Sequence, residues 1–231
     1  MLKELSIPII TIIASLGIVS TSYASEDNKE IIIVDKNNQE INVSIEPEIV
    51  NDVDDDLLQM IVDQSADLDE TSEDITIHDV DLGVQDELDE DVISTFSTRV
   101  TKKFSARVNG PAKFLTSVAK GQTKSLGTTI KIENNKTYSA TGGVSLPNGV
   151  SAEVSRSLTN SKTKTYSSTV KFSGPPNSSS KKSRQFYNTP FSDSGTWTAY
   201  YKPLIGKEKT YKGKYNQPSS QDPFVEWSRD I

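Results

Sequence analysis

GVSLPNGVSAEVSRSL, residues 143–158, is the stretch on which the fold turns. Val144 and Leu146 precede the turn-forming triplet Pro147-Asn148-Gly149, and Val150, Ala152, Val154 and Leu158 resume on alternate positions. Apolar residues alternating with polar ones on both sides of such a turn predict a hairpin of half-buried strands. The period of two continues outward. KFSARV (103–108) sets Phe104, Ala106 and Val108 on one face and Lys103, Ser105 and Arg107 on the other. TIKIE (129–133) repeats the pattern with Ile130 and Ile132, and YSSTVKF (166–172) does so with Val170 and Phe172 before Gly174-Pro175-Pro176 stops it. TWTAYYK (196–202) aligns Trp197, Ala199 and Tyr201, and TYKGKY (210–215) aligns Tyr211 and Tyr215. At least six short strands with polar turns predict a mainly β fold over residues 96–231, an antiparallel β-sandwich or an elongated sheet.

Residues 25–95 read differently. The net charge of −7 divides into −22 over 25–94 and +15 over 95–231. An acidic, partly disordered α+β segment is expected to precede the basic domain. EIIIVDKNNQEINVSI (30–45) predicts a hairpin, its two β-branched runs separated by Asp35-Lys36-Asn37-Asn38. IVNDVDDDLLQMIVDQ (49–64) carries Val50, Val53, Leu57, Met60 and Ile61 at helical spacing, with Asn51 or Asp52 able to cap the helix. Asp52, Asp54, Asp56 and Asp63 also fall on positions of a calcium loop, but Leu57 occupies the place that needs glycine, so the helix is preferred and no metal is expected. From Gln64 to Asp91 the density of like charge and the scarcity of apolar residues predict disorder.

Lys3 and the apolar run 7–19, followed by Ser22-Tyr23-Ala24, predict a signal peptide over 1–24, cleaved after Ala24, and a secreted protein. Cysteine is absent, so no disulfide framework or thiol chemistry is available; secreted proteins of Gram-positive bacteria often have this composition. No phosphate-binding or dinucleotide glycine loop and no strained Gly-x-Ser-x-Gly turn is present, so no cofactor and no enzymatic activity are expected. The single histidine, His78, reads as a solvated residue of the acidic tract.

The outward faces of the predicted strands are rich in Ser, Thr and Lys, and three uses remain open. They form a plain solvated surface, a polyanion-binding surface or part of a membrane-inserting hairpin. For the second, Lys102, Lys103 and Arg107 form one cluster and Lys181, Lys182 and Arg184 another. For the third, KGQTKSLGTTIKIENNKTYSATGGVSLPNGVSAEVSRSLTNSKTKTYSSTVKFSGPP (120–176) lies within a region, 120–203, that resembles the aerolysin-like pore-forming toxins of the epsilon-toxin/Mtx2 type. A Ser/Thr-rich strand, an amphipathic tongue and a second Ser/Thr-rich strand run into a Pro-containing β segment. The resemblance covers about a third of the chain and implies an oligomeric β-barrel pore, with residues 144–158 part of the inserting hairpin.

Together these features lead to an expected function. The cationic β domain of a secreted, non-enzymatic binding or toxin-like protein acts on an anionic cell-wall polymer or lipid surface, not on nucleic acid. The acidic segment is then an intramolecular mask, released by processing near Arg99 in the linker 93–103. Two alternatives are a structural wall or matrix protein assembling through opposed charges and a pore-forming homo-oligomer.

Overall fold

The computed structural model describes residues 18–19, 28–68, 72–81 and 97–231. Ala24 and the 82–95 part of the acidic tract lie outside the described residues. The strands are Ile18–Val19 (β1), Lys29–Val34 (β2), Glu40–Ile45 (β3), Asp74–Asp81 (β4), Ser97–Asn109 (β5), Lys113–Ala119 (β6) and Thr123–Ser125 (β7). They continue with Ile130–Asn134 (β8), Thr137–Ala140 (β9), Lys162–Tyr166 (β10), Lys171–Ser173 (β11), Ser183–Lys202 (β12), Lys209–Pro218 (β13) and Phe224–Asp230 (β14). Two α-helices, Asp55–Ser65 (α1) and Asn148–Arg156 (α2), complete the set.

The fold is mainly β and is organised on β12. At 20 residues this strand extends about 66 Å. Its first part pairs with β14 and β6, and its second with β13 and β5, all antiparallel. Pro190 has no N–H to give a ladder, and it falls where both flanking strands break. Sheet A comprises β1-β2-β3-β4-β14 and the first part of β12 with β6; sheet B comprises β9-β13, the second part of β12 and β5. Between β6 and β12 the chain forms a narrow ribbon in which β7 pairs with β11 and β8 with β10.

Three apolar cores result. In the first, Ile31, Ile33, Val43, Ile45, Leu57, Ile61, Ile75 and Ile77 from the acidic segment pack with Tyr187, Phe191, Val225 and Trp227. In the second, the ribbon's Ile132, Tyr166 and Phe172 cover Leu115, Val118, Phe186 and Phe224. In the third, Val150, Val154 and Leu158 lie on Trp197, Ala199 and Tyr215 of sheet B.

The β2–β3 hairpin forms as predicted, Asp35 accepting backbone hydrogen bonds from Asn37 and Gln39 while Asn38 takes φ +62°. The helix also forms, but Asp54 caps it, accepting from the Leu57 N–H at 2.8 Å, in place of Asn51 or Asp52. Three expectations are corrected.

First, the tract predicted to be disordered contains β4. Ile75, Ile77 and Val80 are buried, and the strand adds to β14 on one side and, in parallel register, to β3 on the other, with α1 as the crossover. Burial of those aliphatics outweighs the repulsion of their acidic neighbours, whose charge meets cations across the sheet. Residues 28–68 and 72–81 therefore share sheet and core with the basic region.

Second, Pro147-Asn148-Gly149 opens a helix and is not a hairpin turn. Val150, Val154 and Leu158 are spaced by four, which satisfies a helical period as well as a strand's. Ala152 and Arg156, in phase with them on a period of two, are exposed.

Third, residues 97–103 of the proposed linker belong to β5, and Arg99 is paired in register with Tyr200. Processing at that point would require β5 to peel away from β12.

Candidate anionic-surface interface

The six cations singled out from the sequence are not one patch. Arg107 is engaged by Asp54 at 2.8 Å and by the buried Asp222 at 3.3 Å, while its second terminal nitrogen donates to Gln221. Lys181 pairs with Asp74 at 2.9 Å. Arg184 makes a two-point contact with Asp230, at 2.6 and 2.8 Å. Lys102 lies on the α2 side of sheet B, its ammonium 5.9 Å from the Tyr215 ring centre and 3.3 Å from Gln217 Oε1. Desolvation there lowers its pKa, against the attraction of Asp193. Lys102, Lys103 and Lys182 of the six are exposed and make no ion pair among the described residues, and of these Lys102 alone is turned toward the α2 side.

At the sheet A end, acids of the N-terminal segment meet cations of the basic region one by one. Asp54 faces Arg107, Asp74 faces Lys181, and Asp79 and Asp81 face Lys164 at 3.0 and 3.4 Å. Burial alone would raise the Asp74 pKa, but hydrogen bonds from Lys181 and Asn42 more than reverse it, so the carboxyl ionises below its usual range. Burial likewise opposes charge on Lys164 and Arg107, and the paired carboxylates hold both above their ordinary values. In contrast Glu226, Asp222 and Asp193 are raised, in each case chiefly by burial.

His78 is not a solvated loop residue. It stands on β4 with Nδ1 2.6 Å from Glu46 Oε1, Nε2 2.7 Å from Ser228 Oγ, and its ring 5.4 Å from Phe186. The carboxylate–imidazole–hydroxyl chain has the connectivity of a hydrolytic triad. Ser228, however, is 0% exposed in the middle of β14, paired to Phe186 and Thr76, so no acyl carbon can reach its oxygen. The trio instead ties the two charge blocks together, and the hydrogen bond to His78 holds the Glu46 pKa down. Among the described residues no group of three His, Cys, Asp or Glu side chains is placed to hold a metal ion.

Sheet B differs. Its cross-strand register puts Arg99 beside Tyr200 and Thr210, Thr101 beside Thr198 and Lys212, and Lys103 beside Thr196 and Lys214, with Ser139 beyond Lys214. These residues occupy the face opposite α2, and no Asp or Glu stands in the three rows. Arg99, Lys103, Lys212 and Lys214 are exposed and, among the described residues, make no ion pair. Arg99 lies over the Tyr200 ring at 4.8 Å, which fixes its guanidinium while leaving its edge free to donate. A flat array of threonine hydroxyls and uncompensated cations suits phosphate or carboxylate groups repeated along a surface.

Sequence reasoning found Lys103 of this array and treated Arg99 only as a point of cleavage. Lys212 and Lys214 were legible in TYKGKY, because a strand that sends Tyr211 and Tyr215 inward sends the intervening lysines outward. No protein-family model, no curated protein and no solved structure matches this chain.

Proposed function

We propose that this is a secreted, non-enzymatic binding protein of toxin-like character whose basic β region acts on an anionic cell envelope through the outer face of sheet B. One observation carries this reading. Among the described residues the acid-free rows of Arg99, Lys103, Lys212 and Lys214 make no ion pair, whereas Arg107, Lys164 and Lys181 at the other end are matched by acids of the N-terminal segment. The described acidic residues set where the envelope is met. They neutralise the sheet A end and direct the exposed positive field to sheet B.

The test is binding of the full chain to anionic vesicles and to soluble poly(glycerol phosphate) over a range of salt. The expected result is affinity that falls as salt rises and drops at least about tenfold in a Lys103→Gln/Lys212→Gln/Lys214→Gln variant. Equal binding by the variant and the native chain would overturn the reading.

Pore formation is the second reading, favoured by the ribbon. Its strands pair Thr163 with Glu133 and Thr165 with Lys131, and Thr123 Oγ1 lies 3.1 Å from Ser173 Oγ. They bracket residues 135–161, of which Leu146, Val150, Val154 and Leu158 rest on sheet B. Insertion would require α2 to leave Trp197 and become extended. Dye release from liposomes with ring-sized oligomers is expected on this reading. A disulfide linking Val154→Cys to Ala199→Cys should then abolish release and leave binding intact.

A further inference from the structure

The turn between β12 and β13 carries the most exposed aliphatic side chains among the described residues. Leu204 is 81% and Ile205 93% exposed. They occupy the tip of a hairpin whose last rung is Tyr201 opposite Lys209. Pro203 and Gly206 shape the loop, Gly206 at φ +115°, a conformation that any other residue would adopt only with strain. Nothing in the fold covers the two side chains. The next most exposed aliphatic, Val144, is 55% exposed and stands alone, whereas Leu204 and Ile205 are adjacent at one tip, and that paired exposure calls for an external contact.

The surroundings of the tip identify the contact. Lys202, Lys207 and Lys209 flank Leu204-Ile205 against a single acid, Glu208. Tyr200, Tyr201 and Tyr211 stand on the rungs behind, half buried, and the bare cations Arg99, Lys212 and Lys214 continue along the same sheet. The order from the tip is therefore aliphatic, cationic, then phenolic. A bilayer interface with anionic lipid presents acyl chain, phosphate and hydrated head group in a matching order. A convex tip without a groove suits a deformable lipid surface better than a folded partner.

We propose that the Leu204-Ile205 tip is a wedge that enters the interfacial layer of an anionic lipid bilayer while the flanking lysines hold lipid phosphates. This rests on the reading that sheet B meets an anionic envelope, and it assigns that envelope to lipid. The wedge is interfacial, since two residues reach only the boundary between head groups and acyl chains.

The test uses the full chain at about 0.1 M salt, where screening leaves short-range contacts intact, with two probes. One is vesicles of phosphatidylglycerol and phosphatidylcholine; the other is soluble poly(glycerol phosphate). Leu204→Asp/Ile205→Asp should keep the native melting temperature, bind the polymer like the native chain, and bind vesicles at least about tenfold more weakly. Ile205→Trp should show an emission blue shift and quenching by brominated lipid on vesicles but not on polymer, because Trp197 and Trp227 are buried and give a constant background.

Equal vesicle binding by the double variant and the native chain, with no shift at Ile205→Trp, overturns the wedge and leaves the envelope reading standing. So does native binding to polymer but not to vesicles. Binding to neither probe overturns both.

Discussion

The two ends of β12 are built from similar strands and solve the problem of charge in opposite ways. Around Arg184–Pro190, sheet A is covered on both faces, by α1 and by the β7–β11 ribbon, and Lys164, Lys181 and Arg184 each face a carboxylate. Around Thr196–Lys202, sheet B is covered on one face by α2 and bears on the other Lys and Arg that make no ion pair among the described residues. The difference shows what the acidic segment does physically. It contributes a strand, a helix and half of a core, and its acids are arranged to meet the cations that this burial would otherwise isolate.

The contrast can be broken most forcefully at Trp227. It is fully buried, stacks on Tyr187 at 4.7 Å and donates to Thr189 Oγ1 at 3.0 Å. Trp227→Ala should cost about 3–5 kcal/mol in urea unfolding. Because the first core joins both charge blocks, residues 28–81 and 183–230 should lose protection together. If only the N-terminal segment loosened, the claim of a shared core would fail. Leu158→Ala, under α2, should cost about 2–3 kcal/mol. Its effect on amide exchange should concentrate at residues 148–156 while β4 and β14 stay protected.

His78→Ala sharpens the seam. It leaves the buried Ser228 hydroxyl without its imidazole partner, and about 1–2 kcal/mol of stability should be lost.

The smallest effect is a pH signature. The Glu46 carboxyl ionises below its ordinary value of 4.5 in the fold, so the unfolded chain binds the proton more readily. Its contribution is complete above the ordinary range and fades as pH falls through the folded value. Glu46→Gln should therefore be weaker than the native chain by under about 1 kcal/mol at neutral pH, the partial exposure of Glu46 screening the pair, and the two should converge in acid. Glu226, raised by burial, has the opposite sign: its ionisation opposes folding as pH climbs past 4.5. Glu226→Gln should thus gain relative to the native chain over that rise.

Much of the fold was legible because burial and period agree. The hairpin at 30–45, the helix starting near Asp54 and the strands holding Trp197 and Tyr211 announce themselves by spacing. α2 was misread because Val150, Val154 and Leu158 fit both periods. Arg156, exposed and 3.2 Å from Glu153 one turn away, is the residue that separates them, since a strand would have carried it into the apolar face. β4 was missed because a charge count averages over Ile75 and Ile77, which are two residues apart and both inward. The site was less legible. Which lysines are neutralised depends on acids far away in sequence, as with Arg107 and Asp54, and no local window contains both partners.

One neighbour of β4 in sheet A is β14, and the hydrogen bond between His78 and Ser228 joins residues 150 positions apart. Closure of the first core therefore joins segments far apart in sequence, a connectivity that slows assembly. Until that late step the β2–β3–α1 unit has an open strand edge, and its dense negative charge then serves as a guard against self-association. The acids that pair with lysines in the finished molecule would thus protect the unfinished one as well.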